Sequence, residues 1–113
     1  MDTYRSYKDL NRLSKRQMEA LGTKQPEFLE NFKTWRRSVI KDGALSVKHK
    51  ELIAAAVATY AQCERCVGLH VDAARRAGAT DEEIREAMEV VTVMGAGIML
   101  MSTLDTLEGL EEL

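Results

Sequence analysis

Apolar residues recur at three- to five-residue intervals along almost the whole chain, and no stretch alternates with the period of two that a half-buried strand needs. Such spacing builds helices. It predicts a first helix over residues 3–21, with Tyr7, Leu10, Leu13, Met18 and Leu21 on one face and Gly22 as a left-handed stop. The single proline, Pro26, suits a first helical turn, and Phe28, Leu29, Phe32, Trp35, Val39 and Ile40 form the stripe of a second helix ending at "KDG". Ser46 can cap a third helix through "VKHKELIAAAVATYAQ", and a fourth, "CERCVGLHVDAARRAG", ends at Gly78. Thr80 and Glu83 have the spacing of a capping box ahead of a long fifth helix. Gly95 and Gly97 lie inside that helix, so it either breaks there or packs closely against another backbone. The fold class expected is all-α, in one domain over residues 1–113.

Composition narrows the function. Acids and bases are interspersed with a net charge of -2, which gives none of the basic stripe that nucleic-acid binding requires. The start "MDTYRSYKDLNRLSKRQ" has no apolar core of a secretory signal, and the apolar run over residues 90–101 is shorter than the ~18 residues of a membrane span. The expectation is a soluble, cytoplasmic protein with neither a nucleic-acid nor a membrane partner. An almost uniformly apolar helix in so small a domain needs burial on several sides, by an oligomer or as a central core helix.

Both cysteines and one of the two histidines stand within "CERCVGLH", residues 63–70. Spacings of three and four put Cys63, Cys66 and His70 on one helical face. Three readings fit. As metal ligands, the three could make a catalytic three-ligand zinc site, with His49 or Glu51 as a fourth, whereas a structural zinc site usually has two ligand pairs. As a redox dithiol, Cys66 would receive the imidazole of His70, which leans toward the helix N-terminus, and its thiol pKa would fall from ~8.5 toward neutrality near the first turn. As buried thiols they would be inert.

Glu51 adds a geometric condition. In one straight rod it would stand about 18 Å from Cys63 at ~1.5 Å per residue. If the chain reverses near Ala61 and Gln62, Glu51 and His70 come to the same height on an antiparallel hairpin. Glu51 could then orient His70 while His70 takes the proton of Cys66. His49, two residues earlier, points to another face and reads as a surface or interface histidine. Trp35 and Tyr60 read as core aromatics, Tyr60 near the motif, and the six methionines as gap-filling core.

Glu51, eleven residues, "CERCVGLH" and then "AGATDEEIREA" resemble the carboxymuconolactone decarboxylase superfamily, in particular its alkyl hydroperoxide reductase component D-like branch, over residues 45–100. The resemblance implies an all-helical fold, a trimer or hexamer, and thiol-dependent peroxidase or disulfide reductase activity without metal or organic cofactor. It assigns Cys63 and Cys66 as the redox pair and Glu51 and His70 as the proton relay, with a hydroperoxide or protein disulfide as substrate and an external thiol as reductant. Cys66 would attack and Cys63 would close the disulfide. Family members that act as decarboxylases lack the dithiol. Arg65 stands where characterised members of the branch carry a relay histidine, and arginine does not accept a proton near neutral pH. Its roles left open are thiolate stabilisation, attraction of an anionic substrate, or a solvated surface position. Two other functions fit the sequence: a lyase with Glu51 and His70 as acid and base, and a non-enzymatic assembly module built on "VMGAGIMLM".

Overall fold

A computed structural model describes residues 6–113. It contains α1 (Tyr7–Lys24), α2 (Pro26–Val39), α3 (Val47–Tyr60), α4 (Glu64–Arg76) and α5 (Asp81–Gly109), then a short 3-10 turn (Leu110–Glu112), and no strand among the described residues. The all-α expectation holds. Thr3, where the first helix was expected to start, lies outside the described residues.

Local chemistry sets most boundaries. Ser46 accepts from the His49 N–H at 3.2 Å and Asp42 from the Val47 N–H at 2.9 Å, so two first-turn donors of α3 are satisfied. Thr80 and Glu83 form the complete capping box of α5. After α4, Gly78 takes φ +100°, and the N–H groups of Gly78 and Ala79 return to the carbonyls of Arg75 and Ala74. That pairing closes the helix end. Gly22 behaves differently from its expected role. It lies inside α1, which continues to Lys24. A Cβ there would come within 3.2 Å of Leu29 Cδ2, so this glycine lets α2 fold closely back on α1.

The reversal between α3 and α4 is built by Gln62, the only non-glycine residue with positive φ among those described, at 58°. Its N–H and that of Cys63 donate to Thr59 and Ala58. The same closing pattern as at Gly78 is thus made without a glycine. The chain turns back where the hairpin argument requires.

The helices lie in a row, α2, α1, α4, α3 and α5, each packed chiefly on its neighbours in that order. The dithiol helix is therefore in the middle. Where α3 and α4 meet, Ala55, Ala58 and Ala74 are buried, and small side chains let the two backbones approach. Gly68 plays the same part against α1, where Asn11 Nδ2 donates to its carbonyl at 3.0 Å.

A row has a large surface for its length. The radius of gyration is 18.1 Å and the longest dimension 59 Å, against about 13 Å expected for the radius of gyration of a closed domain of this length. Trp35 is 69% exposed and Tyr60 55%, and Met94, Met99 and Met101 are exposed too. These residues were expected in the core, and no element among the described residues buries them. α5 neither breaks at Gly95 and Gly97 nor packs there against another backbone of the chain, since a Cβ at either would meet nothing within 4 Å. Counted as a helix rather than as the run 90–101, Asp81–Glu112 is long and apolar enough to cross a membrane by length and composition, its most apolar 18-residue window having mean hydropathy 1.6.

Candidate functional site

Cys63 is the N-cap of α4, and its sulfur accepts the Cys66 N–H at 3.3 Å. The two sulfurs are joined in a disulfide, so the structure holds the oxidised pair. One turn further along α4, His70 Nδ1 lies 2.7 Å from Glu51 Oε2 of α3. Glu51 is 7% exposed, one of two polar side chains buried among the described residues. An ionised carboxylate accepts only, so the imidazole donates from Nδ1 and keeps Nε2 as its acceptor. Glu51 thereby fixes both the tautomer and the ring orientation of His70.

All four residues singled out in the sequence are thus brought to one hairpin. Cys66 and His70 line a common cleft of about 500 Å³ between α1, α2 and α4. Met18, Leu21, Phe32 and Leu69 supply most of its apolar lining, and Arg36 of α2 also borders it. Cys63 is absent from that lining. Glu51 opens instead onto a second cleft of about 440 Å³, which Arg36 also lines.

With the sulfurs bonded to each other and His70 bonded to Glu51, the three-ligand arrangement considered for zinc is not formed. Among the described residues, no group of three or more His, Cys, Asp or Glu side chains could hold a metal ion. His49 sits at the exposed N-terminus of α3, with Nδ1 2.8 Å from Ser46 Oγ, away from the dithiol as its spacing predicts. Tyr60 lines an apolar groove between α3 and α5 rather than the dithiol cleft.

Arg65 takes the exposed position that was one of the roles left open for it, and it lines the dithiol cleft beside Cys66. Its Nε and Nη2 donate to Ser14 Oγ at 3.1 and 2.8 Å, and Nη2 also donates to Gln17. It ties the first turn of α4 to α1. Sequence reasoning missed Ser14 and Gln17, although a small polar residue on the Leu10 stripe was a signal. Arg36 was missed as well, and it stands one helical turn beyond Phe32 on the same face of α2.

The sequence profile of the carboxymuconolactone decarboxylase family matches residues 26–108. The protein called uncharacterized protein 4 in cox locus, from Paracoccus denitrificans, is 52% identical over 59 residues, which are 52% of this chain and 53% of that protein. The chain thus spans about half the length of that relative. A Cupriavidus necator protein is 38% identical over 82 residues, 73% of each chain. Among solved structures, an apo carboxymuconolactone decarboxylase family protein from Legionella pneumophila superposes with a TM-score of 0.76 at 34% identity, covering 94% of this chain and 95% of that one. A Thermotoga maritima family member with a suggested part in the antioxidative response superposes at 0.64 and 28% identity, covering 88% of this chain and 85% of its own. The profile spans α2 to α5, including both helices that carry the dithiol, Glu51 and His70, and the chain belongs to the carboxymuconolactone decarboxylase family.

Proposed function

We propose that the protein is a dithiol oxidoreductase that reduces hydroperoxides, or a partner disulfide, through Cys66 and Cys63 with Glu51 and His70 as the proton relay. The observation that carries this reading is the hydrogen bond of His70 Nδ1 to buried Glu51 at 2.7 Å, with Cys66 on the wall of the same cleft as His70. The antioxidative part suggested for the Thermotoga relative points the same way.

In the reduced protein, His70 Nε2 takes the Cys66 proton and Glu51 stabilises the imidazolium. The thiolate attacks the terminal peroxide oxygen. As the O–O bond breaks, the leaving alkoxide takes the proton from His70 and departs as the alcohol, and the sulfur is oxidised to a sulfenic acid. The Cys63 thiol then attacks that sulfur, the S–S bond forms, and water leaves. An external dithiol reduces the bond by exchange. Cumene hydroperoxide consumption by the reduced protein tests the reading. Cys66→Ser is expected to abolish it and Cys63→Ser to leave a Cys66 sulfenic acid that a dimedone probe captures. Unchanged consumption in Cys66→Ser, with neither thiol ionising below about pH 8, overturns the assignment.

A second proposal concerns α5. Its exposed Val90, Val93, Met94, Met99 and Leu100 are covered by another copy of the chain. The uncharged stretch between Glu89 and Asp105 covers residues 90–104, about 22 Å of helix at ~1.5 Å per residue, short of the ~30 Å of a bilayer core. Acidic residues flank it on both sides, which disfavours an anionic lipid surface. Sedimentation is expected to show an oligomer that Ile98→Glu dissociates. A monomer that partitions into vesicles would overturn this assignment.

A further inference from the structure

Two guanidinium groups with no role in the chemistry above line the dithiol cleft, Arg65 and Arg36. Of the arginines around the two clefts, Arg37 is paired with Glu30, Arg76 with Asp72, and Arg65 with Ser14 and Gln17. The Arg36 guanidinium has no hydrogen-bond or ion-pair partner among the described residues. Arg36 borders the dithiol cleft and also the neighbouring cleft onto which Glu51 opens. Two hydrogen bonds secure the end of the helix that carries it: Lys50 Nζ donates to the carbonyls of Val39 and Lys41 at 2.9 and 2.7 Å, which ties that end to α3.

The remaining lining of the dithiol cleft is chiefly apolar. Met18, Leu21 and Phe32 present hydrocarbon, and the volume of about 500 Å³ lies within the range of small-molecule sites. A neutral compact peroxide would leave most of this surface and the guanidinium unused. An apolar chain with a carboxylate at one end matches both, because a planar guanidinium holds a carboxylate through two parallel hydrogen bonds.

We infer that the preferred oxidant is the hydroperoxide of an apolar carboxylic acid, of the fatty-acid class, with its carboxylate held by Arg36 and its peroxide presented to Cys66. Arg36 is thus a specificity-determining residue. The inference rests on the peroxidase reading, and the reaction is the one balanced above, with the acid hydroperoxide reduced to the hydroxy acid.

The test compares linoleic acid hydroperoxide with its methyl ester, which removes the charge and keeps the chain. In the intact protein the acid is expected to show about tenfold higher kcat/KM, carried by KM, as for a charge-assisted contact at a partly exposed site. Arg36→Gln is expected to collapse the acid-to-ester ratio to about one, and added salt to reduce it. Equal kcat/KM for acid and ester in the intact protein, or an acid-to-ester ratio that Arg36→Gln leaves standing, overturns the inference.

A binding measurement on the oxidised protein needs no turnover. Trp35, the only tryptophan, precedes Arg36 and reports the titration by its fluorescence. Dodecanoate is expected to bind at least tenfold more tightly than methyl dodecanoate, and Arg36→Gln to abolish the difference. Equal binding overturns the carboxylate assignment. If the intact protein consumes no hydroperoxide at all, cumene hydroperoxide included, the peroxidase reading fails, and the titration still decides whether Arg36 holds a carboxylate.

Discussion

His70 of α4 and Glu51 of α3 meet at 2.7 Å across a sequence separation of 19, and they do so because Gln62 reverses the chain between them. The proton relay proposed above depends on both the pair and the reversal, and each can be perturbed separately.

Glu51→Gln keeps the shape of the carboxylate and removes its charge. The amide can still bond Nδ1, but it no longer stabilises an imidazolium. Hydroperoxide turnover is expected to fall about 100-fold, the usual loss when acid–base assistance is removed, with the helical circular dichroism retained. A loss below threefold would rule Glu51 out of the relay.

Gln62→Gly relieves a side chain held in the left-handed region, which costs non-glycine residues roughly 1–2 kcal/mol, and gives back up to about 1 kcal/mol in chain entropy. The net gain is about 0.5 kcal/mol, a rise in Tm of about 2–4 °C. Gln62→Val at the same place is expected to lower Tm, since β-branched side chains fit that region worst. Calorimetry on both variants checks the sign.

Gly68→Ala tests the contact between α1 and α4. The added Cβ would stand 2.8 Å from Asn11 Oδ1 and 3.0 Å from Tyr7 Cδ1, so these side chains must shift or the helices separate. A cost of about 1–3 kcal/mol is expected from such overpacking. Because Arg65 and Ser14 span the same interface, the cost should exceed simple addition or fall short of it when combined with Ser14→Ala, and denaturant titration of the double-mutant cycle measures that coupling.

Glu83 gives a pH dependence whose sign can be worked out. The Thr80 backbone N–H, followed by Lys48, holds its carboxyl at about 2, below the ordinary 4.5. A depressed carboxylate pKa contributes stability above the unfolded value, and that stability is lost as pH falls from 4.5 toward 2. Glu83→Gln is expected to lower stability at neutral pH, where the contribution is fully present, and to flatten the curve within that window, so that the two proteins converge at its acid end. Thermal unfolding at several pH values between those limits shows whether it does.

The helices, the Ser46 and Thr80 caps and the Glu51–His70 meeting were legible in the sequence because each depends on local spacing or on one turn. Gly78 was legible for the same reason. Gly22 was not, because its role is set by Leu29 on the next helix, a contact no local pattern encodes. The partners of Arg65 were hidden likewise: Ser14 and Gln17 lie 51 and 48 positions away. Periodicity identified Trp35, Tyr60 and Met94 as parts of apolar faces, but it carries no information on whether the chain or another molecule covers a face.

The order of helices in the row also sets the order in which they come loose. α5 stands at one end and is held chiefly by α3; α2, at the other, is held by α1 and by the Lys50 bonds at its C-terminal end, while α4 is gripped by α1 and α3. A single chain is therefore expected to open first at α5, and the hairpin that joins Glu51 to His70 to be the last native structure lost.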